Sequence, residues 1–238
     1  MTAGNGTRRD MQAAGSSLQD ARVRGVLERL HRSARGDLFR LPRAVVGNAL
    51  TQLSGRRLTP EMRSRAMKDV YIPISAEQGK FLYLVARSIG ARTVVEFGTS
   101  FGISTLYLAA AVRDAGGGRV IGSELEESKQ RQATANMAEA GFSDLVEVRL
   151  GDAVKTLATV EGPIDLVLLD GWKDLYLPVL QVLTPKLRKG AVVLADNIFT
   201  FRKALRPYVE HMQSGRNGFQ STTLTIADGF EYSVYVGE

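Results

Sequence analysis

The side chains best suited to chemistry fall in two short acidic segments, Asp170-Gly171-Trp172-Lys173-Asp174 and Asp196-Asn197. Each closes an apolar run, Leu166-Val167-Leu168-Leu169 and Ala191-Val192-Val193-Leu194-Ala195. Such runs suit parallel strands covered on both faces. In a doubly wound sheet, ligands bind outside the carboxyl ends of the strands, so Asp170, Asp196 and Asn197 are expected to meet at one point. Two carboxylates and an amide oxygen form a hard oxygen site of the kind Mg²⁺ prefers, with positions left for water or substrate. A substrate with two adjacent oxygens would fill two of them, and a bound cation lowers the pKa of a hydroxyl. Lys173, three residues past Asp170, is placed to take the proton, because desolvation and a nearby cation depress a lysine pKa. Plainer readings exist for the same residues: Asp196-Asn197 as a loop cap, Lys173 as a surface lysine paired with Asp174, and Trp172, the only tryptophan, as a core residue.

The elements that must position these residues alternate from Ser75 onward. Ser75-Ala76-Glu77-Gln78 is a capping box before a helix to about Ile89. Strands are expected at Thr93–Phe97, Arg119–Ser123, Leu145–Leu150, Ile164–Leu169 and Ala191–Ala195. Helices are expected between them at Ile103–Asp114, Glu126–Ala140, Ala153–Val160 and Leu175–Leu187, the last closed by Gly190. Asp228-Gly229 between Gln220–Ile226 and Glu231–Val236 marks a hairpin. The fold class is therefore α/β: a doubly wound, mostly parallel seven-stranded sheet ending in an antiparallel hairpin, with an N-terminal helical extension.

A nucleotide-type cofactor is expected at the first strand–helix turn, Glu96-Phe97-Gly98-Thr99-Ser100-Phe101-Gly102-Ile103-Ser104. Gly98 allows a tight turn and Gly102 a close ligand approach to the helix start. The spacing is not G-x-G-x-x-G, and Glu96 argues against a phosphate ligand. A carboxylate there suits a cationic cofactor, held directly or through water. Glu124, ending the second strand, can accept from both ribose hydroxyls, a feature that NAD and S-adenosylmethionine sites share. After the third strand, Asp152 suits either an adenine amino group or a helix N-cap, with Ala153 beside it.

These motifs, with Leu175-Tyr176-Leu177-Pro178 and Leu187-Arg188-Lys189-Gly190, resemble the catechol O-methyltransferase family over about Ile72 to Val236. The resemblance implies a class I, S-adenosylmethionine-dependent, cation-dependent O-methyltransferase. It implies that Asp170, Asp196 and Asn197 hold Mg²⁺ and that Lys173 is the general base. Glu124 would hold the ribose, Leu125 and Trp172 would pack on the adenine, and Ser104 would contact the methionine moiety. Gly98, Ser100, Gly102, Asp152, Ala153 and Asp170 complete the implied cofactor site. Two positions depart from the family: Gly171 replaces a histidine and is expected to open the adenine side, and Thr222 replaces a glutamate that contacts the second hydroxyl.

Composition narrows the alternatives. The 238 residues include no cysteine, which excludes disulfides, thiolate metal sites and a cysteine nucleophile. The two histidines, His31 and His211, have no metal-ligand spacing. An NAD-dependent oxidoreductase would share Glu124, yet G-x-G-x-x-G and a Tyr-Lys relay are missing. Residues 1–68 hold 14 Lys/Arg against 5 Asp/Glu. A nucleic-acid methyltransferase could use such a basic arm, but aromatic residues are scarce there, and Asp170 and Asp196 would lack a role. A non-catalytic relative would be expected to lose Lys173 or a ligand. The expected organisation is a disordered tail over 1–17, helices over 18–70 that cover the acceptor pocket or make a homodimer contact, and the catalytic domain over 71–238. No apolar run reaches membrane-spanning length and no signal-peptide core is present, so a cytoplasmic protein acting on a small hydroxylated, aromatic molecule is expected.

Overall fold

The computed structural model describes residues 15–37 and 74–237. Residues 38–70 of the expected helical extension lie outside them. Helices α1 (Ala21–Asp37) and α2 (Ala76–Ser88) lead into β1 (Thr93–Phe97), α3 (Ile103–Asp114), β2 (Arg119–Glu124), α4 (Glu127–Glu139) and β3 (Val146–Leu150). Then follow α5 (Ala153–Thr156), β4 (Ile164–Leu169), α6 (Tyr176–Leu183), β5 (Leu187–Ala195), α7 (Arg202–Gln213), β6 (Phe219–Leu224) and β7 (Phe230–Tyr235). The seven described strands form one sheet in the order β3-β2-β1-β4-β5-β7-β6. β1 to β5 pair in parallel, and β7 lies antiparallel between β5 and β6.

Alternation along each strand divides the core. Val94, Leu166, Leu168, Val192 and Leu194 face α1, α2 and α3, in a cluster with Leu30, Leu82, Leu106 and Leu108. Val95, Phe97, Val167, Leu169 and Val193 face α5, α6 and α7, packing on Leu157, Tyr176, Leu180 and Leu205. Both faces are covered, which is why the strands read as unbroken apolar runs. The α2 capping box forms as expected: Ser75 Oγ accepts from Gln78 N–H and Gln78 Oε1 accepts from Ser75 N–H.

Two boundaries differ from expectation. α6 stops at Leu183, and Pro185, which lacks an N–H, sits in the 3₁₀ turn Thr184–Lys186 that follows. β5 thus begins at Leu187, and Gly190 (φ 80°) lies inside it, in an irregular stretch between Leu187 opposite Ile164 and Val192 opposite Leu166. At the other end, Ser16 and Ser17 do not belong to a tail. Ser17 N–H donates to Asp114 Oδ2 at 2.9 Å and its hydroxyl to Asp114 Oδ1 at 2.5 Å, while Tyr83 OH donates to Oδ2 at 2.7 Å. Ser16 Oγ reaches Tyr83 OH at 3.0 Å. Residues 1–14 of the expected tail lie outside the described residues.

Candidate active site

Strand register brings the two acidic segments together. Phe97 pairs with Leu169, and Leu169 with Ala195, so β1, β4 and β5 end level. The ladder then runs on by one residue. Asp170 N–H donates to Phe97 O at 2.8 Å and Asp196 N–H to Leu169 O at 3.0 Å. Asn197 adopts φ 65°, a left-handed conformation that asparagine tolerates, and its N–H donates to Asp196 Oδ1 at 2.7 Å.

Lys173 lies at the centre. It sits on the 3₁₀ turn Lys173–Leu175, and its side chain is 13% exposed. Nζ donates to Tyr176 OH at 2.7 Å and to Asn197 Oδ1 at 2.7 Å, and it stands 3.5 Å from Asp170 Oδ1. The Tyr176 and Phe201 rings lie 4.9 and 5.4 Å from it. Burial pushes the Lys173 ammonium below its ordinary pKa, against the pull of Asp170 and Asp196. Burial likewise raises the Asp170 carboxyl, with Lys173 opposing. Asp196, 2% exposed, is pushed up to about 7 by burial and then by the charge of Asp170. Two of the expected oxygen donors, Asp170 and Asn197, thus already face the Lys173 nitrogen. Among the described residues no three His, Cys, Asp or Glu side chains gather into a metal cluster. The set that meets here is two carboxylates and an amide.

The Gly98–Gly102 loop, where a cofactor is expected, is built by close approach. At Gly98 (φ 99°) a Cβ would lie 2.6 Å from Gly171 N and 2.7 Å from Asp170 O. Only glycine lets the β1 and β4 loops touch there. Gly98 and Thr99 N–H groups both donate to Ser123 O, at 3.1 and 3.2 Å. Glu96 is fully buried, with Oε2 accepting from Thr99 Oγ1 at 3.1 Å and Thr105 Oγ1 at 2.5 Å. Its Oε1 has no hydrogen-bond partner among the described residues, and burial raises its pKa. Glu124 accepts three backbone N–H groups at 2.8 Å each, from Ser100 to Oε2 and from Leu125 and Glu126 to Oε1. Asp152 caps α5, accepting from Val154 N–H at 3.0 Å, with Ala153 buried behind it. Ser104 is buried in the first turn of α3. Trp172 is half-buried against the α5–α7 side of the core.

Two sequence expectations change here. The Cβ position of Gly102 faces Met137 Cε at 2.7 Å and Ala133, so packing on α4 and a left-handed φ of 88° already require the glycine before any ligand is considered. Gly171 does not open the adenine side: a Cβ there would lie 2.3 Å from Phe97 Cζ, so the Phe97 ring fills the space. Thr222 is exposed in β6, opposite Tyr232. Sequence reasoning assigned no role to Tyr176, and it read Gln78 only as a cap. Gln78 Nε2 in fact donates to Asp196 Oδ1 at 2.8 Å.

A family described as a methyltransferase domain matches residues 95–198. The chain is 43% identical over 129 residues to a catechol O-methyltransferase of Mycobacterium tuberculosis, a match covering 53% of this chain and 57% of that relative. It superposes on the cofactor-bound Rv0187 from MTB with a TM-score of 0.67 and 31% identity, covering 82% of this chain and 97% of that one. The chain belongs to the catechol O-methyltransferase-like family. The O-methyltransferase TomG from Streptomyces achromogenes, solved in complex with SAM, shares the fold at a TM-score of 0.65 and 28% identity, over 79% of this chain and 95% of that one. The curated relative is thus matched over less than two thirds of its length. Within the family's sheet, the rim described above carries Asp170, Lys173, Asp196 and Asn197 on adjacent strand ends.

Proposed function

We propose that the chain transfers the methyl group of S-adenosylmethionine to a hydroxyl of a small aromatic molecule bearing a catechol-like pair of oxygens. Asp170, Asp196 and Asn197 would hold a Mg²⁺-type cation, and Lys173 would act as general base. The observation that carries this reading is the placement of Lys173 Nζ, 2.7 Å from Asn197 Oδ1 and 3.5 Å from Asp170 Oδ1, on the rim beside the Gly98 loop. Two carboxylates and an amide oxygen fit a hard divalent cation. The carboxylates of Glu96 and Glu124, at the ends of β1 and β2, fit a cofactor with a positive centre and a ribose. Glu96, Gly98, Ser100, Gly102, Ser104, Glu124, Leu125, Asp152, Ala153, Asp170 and Trp172 would line that cofactor's site.

When bound, the cation acidifies a hydroxyl and S-adenosylmethionine supplies an electrophilic methyl on sulfonium. The rest is the work of the chain. Lys173, its ammonium disfavoured by burial, takes the hydroxyl proton on Nζ. Tyr176 OH and Asn197 Oδ1 hold that nitrogen in place. Phe199 and Phe201, 45% and 44% exposed, offer an apolar rim to an aromatic ring.

The test is methyl transfer from S-adenosylmethionine to a panel of catechols and simple phenols, with Mg²⁺ and with chelator. Transfer to catechols that chelator abolishes is expected; equal rates in chelator would remove the metal from the reading. Lys173→Met should lower kcat by roughly 10²–10⁴-fold with cofactor affinity unchanged. The reading extends to a cytoplasmic homodimer that binds neither nucleic acid nor membrane. A monomer in sedimentation velocity, or retention on DNA, would strike those parts. No described helix is long and apolar enough to cross a membrane.

A further inference from the structure

Gln78 has more hydrogen-bonding capacity than its cap requires. It is the third residue of α2 and 4% exposed. Its Oε1 accepts from Ser75 N–H at 2.8 Å. Glutamate serves that purpose as well as glutamine in a capping box. What glutamine adds is the amide nitrogen, and here Nε2 is buried and donates to Asp196 Oδ1 at 2.8 Å.

The consequence lies in how the two oxygens of Asp196 are used. Oδ1 accepts two short N–H bonds, from Gln78 Nε2 at 2.8 Å and from Asn197 N at 2.7 Å. Among the described residues Oδ2 has only Asn197 Nδ2, at 3.3 Å. A carboxylate gripped on one oxygen cannot rotate, and its other oxygen is left to meet an external partner. We infer that Gln78 is a positioning residue that fixes Asp196 with Oδ2 turned toward the cation, so that divalent-metal affinity depends on a side chain of α2. The inference rests on the metal reading above. Outer partners of metal-binding carboxylates commonly govern affinity in this way. Asp196 is the ligand that needs such help. Asp170 has Lys173 beside it, whereas the only described side chain from another element that donates to Asp196 is Gln78.

The test uses the full chain and Mn²⁺ as the probe, with binding followed by calorimetry and by electron paramagnetic resonance. In Gln78→Met the dissociation constant for Mn²⁺ is expected to rise roughly 10–100-fold. The apparent KM for Mn²⁺ should rise in parallel, with kcat at saturating Mn²⁺ and the affinity for S-adenosylhomocysteine changing far less. Ser75→Ala, which removes the hydroxyl cap and leaves the Gln78 amide in place, should keep the parent affinity for Mn²⁺. Gln78→Asn draws the amide back by one methylene and carries the same expectation as Gln78→Met, should the latter fail to fold. Parent-like Mn²⁺ affinity in the Gln78 variants would overturn the inference. So would an equal loss in Ser75→Ala, since the effect would then come from the helix cap. If the parent chain itself takes up no Mn²⁺, the metal reading falls, and the same titration shows it.

Discussion

Phe97 and Gly171 act as a pair across β1 and β4. The ring of Phe97 occupies the space a side chain at 171 would need, with 2.3 Å between an ideal Cβ and Cζ. It also meets Tyr176 edge-on at 6.2 Å between centroids. Gly171→Ala should therefore destabilise the protein by about 1–3 kcal/mol in urea unfolding. Adding Phe97→Leu should recover part of that loss, a coupling of about 0.5–3 kcal/mol in a double-mutant cycle. Strict additivity would mean that the two positions do not share a space. Sequence alone could not reveal the pair. Gly171 was legible as a departure from the family, but reading it as an opening took no account of the neighbour that fills it. Gln78 is the same case: its cap lies three residues away and was readable, while its bond to Asp196 spans 118 positions. By contrast, Asp170, Lys173, Asp196 and Asn197 were legible, because each follows an apolar strand end and register then decides their meeting.

At the scale of elements, α1 is connected to the Gly98–Gly102 loop through one buried amide. Asn136 of α4 is fully buried; its Nδ2 donates to Phe101 O at 2.8 Å, and its Oδ1 accepts from Arg29 of α1 at 3.1 Å. The Phe101 carbonyl lies within the Gly98–Gly102 turn. Asn136→Leu would remove that bond from a buried site and should cost about 1–3 kcal/mol of stability. Arg29→Ala, which removes a partly exposed donor, should cost less, and both are read by thermal unfolding. An Asn136→Leu protein as stable as its parent would show that the loop needs no such brace. Element boundaries were legible where a cap or strand pattern marks them, as at Ser75 and at β1 and β4. They were not legible at α6, where apolar residues continue past Pro185 into β5, and at Ser17, whose partner Asp114 lies 97 positions on.

Taken whole, the molecule puts its candidate chemistry on the carboxyl rim of the sheet and a structural charge site on the opposite rim. There Asp165 accepts from Arg92 and Thr93 N–H groups at 2.9 and 2.8 Å and from Arg188 Nε at 2.5 Å. Burial alone would raise its pKa, but the Thr93 N–H, Arg188 and the Arg92 N–H outweigh it and hold the carboxyl below its ordinary value. A depressed carboxylate stabilises the fold above its unfolded pKa, about 3.9, and the contribution is lost as pH falls through the folded value. Asp165→Asn should accordingly lower the melting temperature near neutral pH, with the gap to the parent closing as acid is added below about pH 3.9. A constant gap at all pH values would assign the loss to geometry instead of charge. The strand order has a further result. β7 follows β6 in the chain yet lies inside it in the sheet, the only described strand that pairs with β6 and the one that covers the free side of β5. During synthesis, then, β5 keeps an open edge and β6 has no place to dock until residues 230–235 have left the ribosome, so the nascent chain passes through an interval in which it is open to sticking to its neighbours.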